Sequence, residues 1–297
     1  MLADDCRQIV RLAVREDLDR GQDWTTISLI PTGARGAAEV VLREGGVVAG
    51  LAAAEAVLAE MDTQIRWSPQ VNDGSLVEAG QPVAHLAGSL RDMLTSERIM
   101  LNFLGRLSGI ATRTQAFVHR VAGLKAEIYD TRKTTPGWRR LEKYAVRCGG
   151  GRNHRTGLFD AILIKDNHLA FEAVQAEADA EPTVVTACQK ARRFLDNQPE
   201  LESERMIVEI EVDDLKQFRD VLPEKPDIVL LDNMEISLLR EAVLLRNELA
   251  PQIILEASGG VNLETVAAIA ETGVDRISVG SLTHAATWLD LGLDWRA

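Results

Sequence analysis

Eight cationic side chains crowd residues 132–155: Arg132, Lys133, Arg139, Arg140, Lys143, Arg147, Arg152 and Arg155, with Glu142 the one acid among them. In a chain of net charge −12 this is a positive island. Arg140, Lys143 and Arg147 fall at near-helical spacing and read as a solvated helix face. Arg132, Lys133, His154 and Arg155 sit instead in Thr- and Gly-rich connections, where their heads can converge. Planar guanidiniums grip carboxylates and phosphates in bidentate fashion. The island is small and has only Trp138 and Tyr144 as aromatics, so a small polyanion fits it better than nucleic acid. The run "GGGRNHR" adds bare backbone at Gly149–Gly151, read as letting the loop fold tightly beneath a bound anion.

A second anion signal lies at "ASGGVNLETVAAIAETGVDRISVGS", which reads strand, Ser-Gly-Gly, helix, strand, Gly-Ser. Glycine admits backbone N–H groups to a phosphate, and a helix N-terminus favours negative charge. Between the two anion signals stand Glu211 and Asp232. Acids there suit ribose hydroxyls, a metal ion or developing positive charge. Glu209 lies two residues before Glu211, on the same strand face. A site for a carboxylate-bearing group, a sugar and phosphates points to glycosyl or phosphoribosyl transfer.

These groups need a frame. After Leu124, strands are predicted at 127–131, 161–165, 206–212, 227–232, 253–258 and 276–280, with helices at 183–195, 213–221, 235–249 and 262–272. Such alternation means a parallel sheet covered by crossover helices. The strands end in polar residues at the edge where ligands bind: Arg132–Lys133, Lys165–His168, Glu211–Asp213, Asp232–Asn233, Ser258–Gly260 and Gly280–Ser281. Asp213 and Asn262 read as N-caps. The chain is too short for a complete eightfold barrel plus its first third, which leaves an incomplete barrel or an open sheet. That first third reads as a helix (4–18), a hairpin around Gly45–Gly46, a helix at 51–61, and two short strands bent at Asp73–Gly74 and Gly80. A long helix at 92–122 is expected to break near Gly105 or Gly109. The acidic stretch 172–182 reads as a solvated loop or helix end.

The 297 residues, 46% hydrophobic and 26% charged, suffice for one large or two medium domains. The acidic balance argues against a general nucleic-acid or anionic-membrane binder. Three scattered cysteines, Cys6, Cys148 and Cys188, fit neither a disulfide framework nor a zinc site. "MLADDCRQIV" carries early acids and no long apolar run, and Glu55 and Glu60 interrupt the most apolar stretch. No secretory signal or membrane span is expected, and a reducing cytosol is the expected compartment.

"ERIMLNFLGRLSGIAT", "DTRKTTPGWRRLEKYAVRCGGGRNHRTGLFDAILIKDNH", "VEIEVDDL", "IVLLDNM" and "LEASGGVNLETVAAIAETGVDRISVGSLTHA" together resemble the quinolinate phosphoribosyltransferase family. The resemblance runs in order over roughly residues 90–292. It implies an open (incomplete) α/β barrel of seven strands at 108–284. An N-terminal α/β sandwich domain would span 1–107, joined by the C-terminal segment 285–297. Six strands are counted, with the seventh sought near 183–187. The implied reaction joins quinolinate to phosphoribosyl pyrophosphate with Mg2+, releasing pyrophosphate and carbon dioxide. A homodimer or hexamer is implied, with the site at a subunit interface.

Matched motif by motif, Arg132, His154, Arg155 and Lys165 would line the quinolinate pocket, with the partner subunit's Arg98 reaching in. Lys133 would face pyrophosphate and stabilise its departure. Glu211 and Asp232 would hold the ribose hydroxyls and, directly or through water, the metal. Ser258, Gly259 and Gly280 would receive the 5′-phosphate. Lys133, Lys165, Glu211 and Asp232 are the implied catalytic groups. Trp138 departs from the family pattern, where a smaller aliphatic residue is expected.

Three other readings compete with this one. "VNDGSLVEAGQPVAHLAG" is similar to the hairpins of biotinyl and lipoyl carriers, but residues 1–124 contain no lysine to bear the cofactor. A paralogous phosphoribosyltransferase acting on nicotinate or another oxyanion would need fewer cations than Arg132, His154, Arg155 and Lys165. A non-catalytic phosphate binder would not need Glu211 and Asp232.

Overall fold

The computed structural model describes residues 2–175, 183–198 and 206–296, so most of the acidic stretch 172–182 lies outside the described residues. In chain order the elements are α1 (Leu2–Leu18), α2 (Trp24–Leu29), β1 (Arg35–Leu42), β2 (Gly46–Val47), α3 (Leu51–Glu60), β3 (Ile65–Pro69), β4 (Leu76–Val77), β5 (Pro82–Ser89) and α4 (Leu90–Arg120). There follow β6 (Glu127–Tyr129), α5 (Arg139–Cys148), β7 (Ile162–Ile164), α6 (Asp166–Gln175), α7 (Val184–Asp196), β8 (Val208–Val212) and α8 (Leu215–Val221). The chain closes with β9 (Ile228–Asp232), α9 (Ile236–Leu249), β10 (Ile254–Ser258), α10 (Val266–Ala270), β11 (Arg276–Ser278), α11 (Ser281–His284) and β12 (Leu291–Arg296). Two compact units form. One holds Met1–Ala116, Lys133–Arg152 and Ser281–Ala297; the other holds Phe117–Arg132 and Asn153–Gly280.

In the first unit an antiparallel sheet runs β12-β1-β5-β3. The last five residues of β1, Ala38–Leu42, are buried, because the strand is paired on both edges. The hairpin expected around Gly45–Gly46 does not form: β2 leaves β1 and pairs with β4. The cause is α4. Val47 N–H donates to Thr112 Oγ1 at 2.9 Å, and a Cβ on Gly46 would sit 2.7 Å from the same oxygen. The chain is drawn onto the helix instead of back along the sheet.

Helix α4 is unbroken at Gly105 and Gly109, contrary to expectation. Glycine costs a helix interior about 1 kcal/mol relative to alanine. Here its bareness admits another backbone: Leu289 N–H donates to Gly105 O at 3.0 Å, and a side chain on Gly109 would overlap the Thr287 carbonyl. The run Gly149–Gly151 serves the same helix rather than an anion. A Cβ on Gly149 would overlap Ala111 O, one on Gly151 would lie 2.7 Å from Thr114 Cγ2, and Gly150 has φ +86°. The end of α5 thus packs directly on α4. On α5, Arg140 pairs with Asp5 at 2.6 Å and Arg147 lies over the Tyr144 ring. Lys143 is buried, so the face is not uniformly solvated as expected.

In the second unit, among the described residues, six parallel strands are ordered β6-β11-β10-β9-β8-β7. The first two strands of this sheet in sequence, β6 and β7, are its two edges, so the barrel is open between them. The seventh strand is not at 183–187. There Thr183 and Thr186 form a reciprocal capping box that starts α7, and this outweighs the β-branched run Thr-Val-Val-Thr. The cap expected at Asp213 belongs to Asp214, whose carboxylate accepts from Gln217 N–H at 2.8 Å. Asn262 Oδ1 accepts from Glu264 and Thr265 N–H, but the helix that follows is only Val266–Ala270.

Two aspartates fasten the strand starts. Asp227 Oδ2, just before β9, accepts from Val208 N–H at 2.7 Å and pairs with Arg192 of α7 at 3.0 Å. Asp275 Oδ2, just before β11, accepts from Leu255 N–H at 2.8 Å and pairs with buried Arg246 of α9 at 2.6 Å. Each ties a strand's start to its neighbour and to a covering helix, which fixes register at that end.

Candidate active site

Lys165 follows β7, and its ammonium pairs with Glu211 Oε2 of β8. Burial pushes the Glu211 carboxyl up, the Lys165 contact opposes this, and the charges of Asp232 and Asp166 add to the upward push. Three carboxylates and one ammonium therefore share the C-terminal edge of β7–β9. Asp232 stands opposite Ser258 in the β9–β10 register, and Asp232 Oδ2 accepts from Asn233 Nδ2 at 2.6 Å. Asn233 takes a left-handed φ of 51° and donates its N–H to Ser258 O at 2.9 Å. Gly259, with φ +94°, leaves room for the Asn233 side chain; any Cβ there would overlap it. Gly280 follows β11 on the same edge, two residues past Ser278.

On the open side of the barrel, Asp130 accepts from Asn153 Nδ2 at 2.7 Å and from His154 N–H at 2.8 Å. This clips residues 153–154 to the end of β6. Arg155 Nη1 donates to Ala161 O at 3.0 Å. Burial draws the Arg155 guanidinium down from its ordinary range, and the like charge of Arg132 adds to that; Glu209 and Asp160 pull the other way. Two arginines are thus held near one another with acids around them.

His154 is engaged at both ring nitrogens. Its Nδ1 accepts from Arg155 N–H at 2.7 Å, which leaves the ring hydrogen on Nε2. Nε2 lies 3.0 Å from Glu209 Oε2 and 3.5 Å from Glu256 Oε1. His154 and Arg155 line a cavity of ≈ 290 Å³ with Tyr129, Asn153, Glu209 and Arg276. Its walls also take in Ala161, Ile207 and Ile228, at the starts of β7, β8 and β9. Arg132, Lys165, Glu211 and Asp232 are not in that wall. The structure therefore brings the expected residues of this unit together as two levels of one barrel rather than as a single ring.

Lys133 and Arg98 belong to the other unit, and both are exposed. The Lys133 carbonyl accepts from Thr283 Oγ1 at 2.7 Å. Trp138, the departure from the family pattern, stacks on Phe103 with ring centroids 5.0 Å apart. The larger ring thus packs the loop after Lys133 against α4.

Asp130, Asn153, Glu256 and Arg276 were not singled out from the sequence. Glu256 left a signal, since it interrupts the apolar strand Ile254–Ser258 with an acid that is wholly buried. Arg276 stacks 4.6 Å from the Tyr129 ring centroid, a contact that only the β6–β11 pairing creates. Among the described residues, no helix is long and apolar enough to cross a membrane.

Comparison with known proteins agrees with this architecture. The family pattern described as "Quinolinate phosphoribosyl transferase, C-terminal domain" matches residues 110–294, and the corresponding N-terminal domain matches 23–108. A "Nicotinate-nucleotide pyrophosphorylase [carboxylating]" of Mycobacterium leprae is 45% identical over 293 residues, covering 98% of this chain and 97% of that one. A tobacco "Quinolinate phosphoribosyltransferase [decarboxylating] 1b" (Nicotiana tabacum) is 37% identical, covering 97% and 82%. The solved nicotinate-nucleotide pyrophosphorylase of Francisella tularensis superposes with a TM-score of 0.87 at 35% identity, covering 99% and 96%.

Proposed function

Because the chain belongs to the quinolinate phosphoribosyltransferase family, we propose that it transfers the phosphoribosyl group of phosphoribosyl pyrophosphate to quinolinate. The 2-carboxylate leaves as carbon dioxide, and the product is nicotinate mononucleotide for NAD biosynthesis. The observation that carries this reading is half-buried Arg155, whose guanidinium is drawn down first by burial and then by the like charge of its companion Arg132. Such a pair is costly alone and becomes favourable around a dicarboxylate.

Arg132, Arg155 and Lys165 grip the two carboxylates, and the partner subunit's Arg98 closes the pocket in a homodimer or hexamer. His154 lines it from below while its ring stays on Glu209. The pyridine nitrogen then displaces pyrophosphate at the anomeric carbon. Glu211 and Asp232 hold the ribose hydroxyls and offset the positive charge that develops there. Lys133 faces the departing pyrophosphate. Ser258, Gly259 and Gly280 receive the 5′-phosphate on bare backbone N–H groups. Holding both substrates in line lowers the barrier by several kcal/mol, up to ~7–11 in favourable model reactions. The new pyridinium takes up the electrons released when the 2-carboxylate leaves.

Mg2+ suits Glu211 and Asp232, hard carboxylate ligands on the adjacent strands β8 and β9 whose charges act on each other. Bound there with the substrate's phosphates, it would supply charge neutralisation. A cytoplasmic setting accords with three cysteines that form no disulfide.

The test is direct. The chain, quinolinate carrying a labelled 2-carboxylate, phosphoribosyl pyrophosphate and Mg2+ should release labelled carbon dioxide and the mononucleotide. Nicotinate should not substitute. Turnover of nicotinate with no carbon dioxide from quinolinate refutes the assignment.

A further inference from the structure

Three ionisable side chains meet inside the barrel. His154, Glu209 and Glu256 have side chains 9%, 1% and 0% exposed. A single ring hydrogen, on His154 Nε2, faces both carboxyls. Glu209 takes it at 3.0 Å. Neither oxygen of Glu256 makes a hydrogen bond of ordinary geometry. A buried carboxylate served only by the weak pull of the Ser278 hydroxyl and a distant His154 Nε2, beside a second carboxylate, is a costly charge for a protein to hold.

The groups facing Glu256 come from every neighbouring element: Glu209 from β8, His154 from the loop after Arg152, and Ser278 and Arg276 from β11. Burial and the Glu209 charge push the Glu256 carboxyl up to about 7, against the opposing pull of His154, Ser278 and Arg276. A metal ion is the rival occupant of this cluster. It would need a lone pair on Nε2, where this tautomer carries hydrogen, and Arg155 and Arg276 line the adjoining cavity with positive charge. A proton is the cation the site accommodates.

Resting on the functional reading above, we propose that Glu256 is a proton-holding positioning residue: seating a dianionic pyridine dicarboxylate beside Arg155 and His154 draws one proton from solvent onto Glu256. No other bond changes; a carboxylate and a solvent proton become a carboxylic acid. The Glu209 carboxylate and the Arg155 guanidinium share one cavity wall, so the arriving dianion adds negative charge next to the cluster. Taking up a proton relieves that charge and leaves Arg132 and Arg155 to the substrate. The sign follows. In the free protein below about pH 6 Glu256 already carries its proton, so little uptake remains; near pH 8 it starts ionised and uptake approaches one.

The experiment is calorimetric titration of the full chain with quinolinate in phosphate and in Tris, at about pH 6 and about pH 8. The difference in heat between buffers gives the protons taken up. Uptake should approach one at the higher pH and fall toward zero at the lower, while Glu256→Gln binds with heats independent of buffer. Undiminished uptake in Glu256→Gln, or none in the wild type near pH 8, overturns the proposal. No binding by the wild type overturns the functional reading and removes this one with it. Infrared difference spectra of the wild type give a measurement that does not depend on the variant folding. The protonated-carboxyl band should grow when quinolinate is added near pH 8, and its constancy would overturn the proposal.

Discussion

Glu142→Ala tests whether the loop bearing Lys133 is held by buried charge. Glu142 is fully buried, and its two oxygens serve four donors. Oε1 takes Arg106 Nε at 3.2 Å, Arg106 Nη2 at 2.6 Å and Thr135 Oγ1 at 2.8 Å, and Oε2 takes Thr135 N–H at 3.1 Å. Arg106 also donates to the carbonyls of Thr283 and Ala286, and Thr283 in turn donates to the Lys133 carbonyl. Truncation leaves a guanidinium with a 12% exposed side chain and no counter-charge, and it strands both Thr135 donors. Breaking one side of such a pair costs about 3–5 kcal/mol. At about 2–4 °C per kcal/mol this lowers the melting temperature by roughly 6–20 °C, read by calorimetry. The double variant Arg106→Met, Glu142→Leu should regain most of the loss, because an apolar pair removes the unpaired charge as well as the contact. A Glu142→Ala protein that melts within a degree or so of the wild type would refute the argument.

Four further outcomes are expected. Asp275→Asn leaves Arg246 without its counter-ion and should cost about 3 kcal/mol at neutral pH. Although burial pushes Asp275 up, its bonds to Leu255 N–H, Lys125 and Arg246 prevail and hold it below the ordinary 3.8. Its contribution is therefore present above that value, and the gap to the variant should close only as pH falls through the folded-state value, in denaturant titrations at several pH values. Gly150→Ala, at φ +86°, should cost about 1–2 kcal/mol, seen as a lower urea midpoint with unchanged slope. Arg155→Ala should weaken quinolinate roughly 30-fold, or about 2 kcal/mol, by calorimetry; unchanged affinity removes its role. Lys165→Met should lower kcat by ~10²–10³ in the carbon dioxide assay, with far-ultraviolet dichroism unchanged.

The barrel half was legible because parallel strands buried on both faces announce themselves as β-branched runs, and β8, β9 and β10 fall within two residues of expectation. The first unit was harder to read. Alternation along residues 35–47 says strand but not which partner, and β1's partners, β5 and β12, are remote in the chain. The glycines of α4 and of the 149–151 run were read as breaks and loop hinges because their reason is another backbone, invisible until the chain is folded. The same holds at the site. Lys165, Glu211 and Asp232 sit where strand ends must place them. The engagement of His154 by Glu209 and Glu256 depends on two other strands, and no spacing rule reaches that far.

The twin aspartates at the strand starts bear on how this barrel tolerates its own chemistry. Arg192–Asp227 and Arg246–Asp275 weld β8 to β9 and β10 to β11 at the foot of the sheet, each carboxylate also accepting a backbone N–H. With anchorage concentrated there, the opposite rim can keep an ammonium against a carboxylate and a bare Gly-Gly corner without loosening the frame. Substitutions at that rim should alter what is held and leave the architecture standing, whereas neutralising Asp275 at the foot should lower the stability of the frame itself.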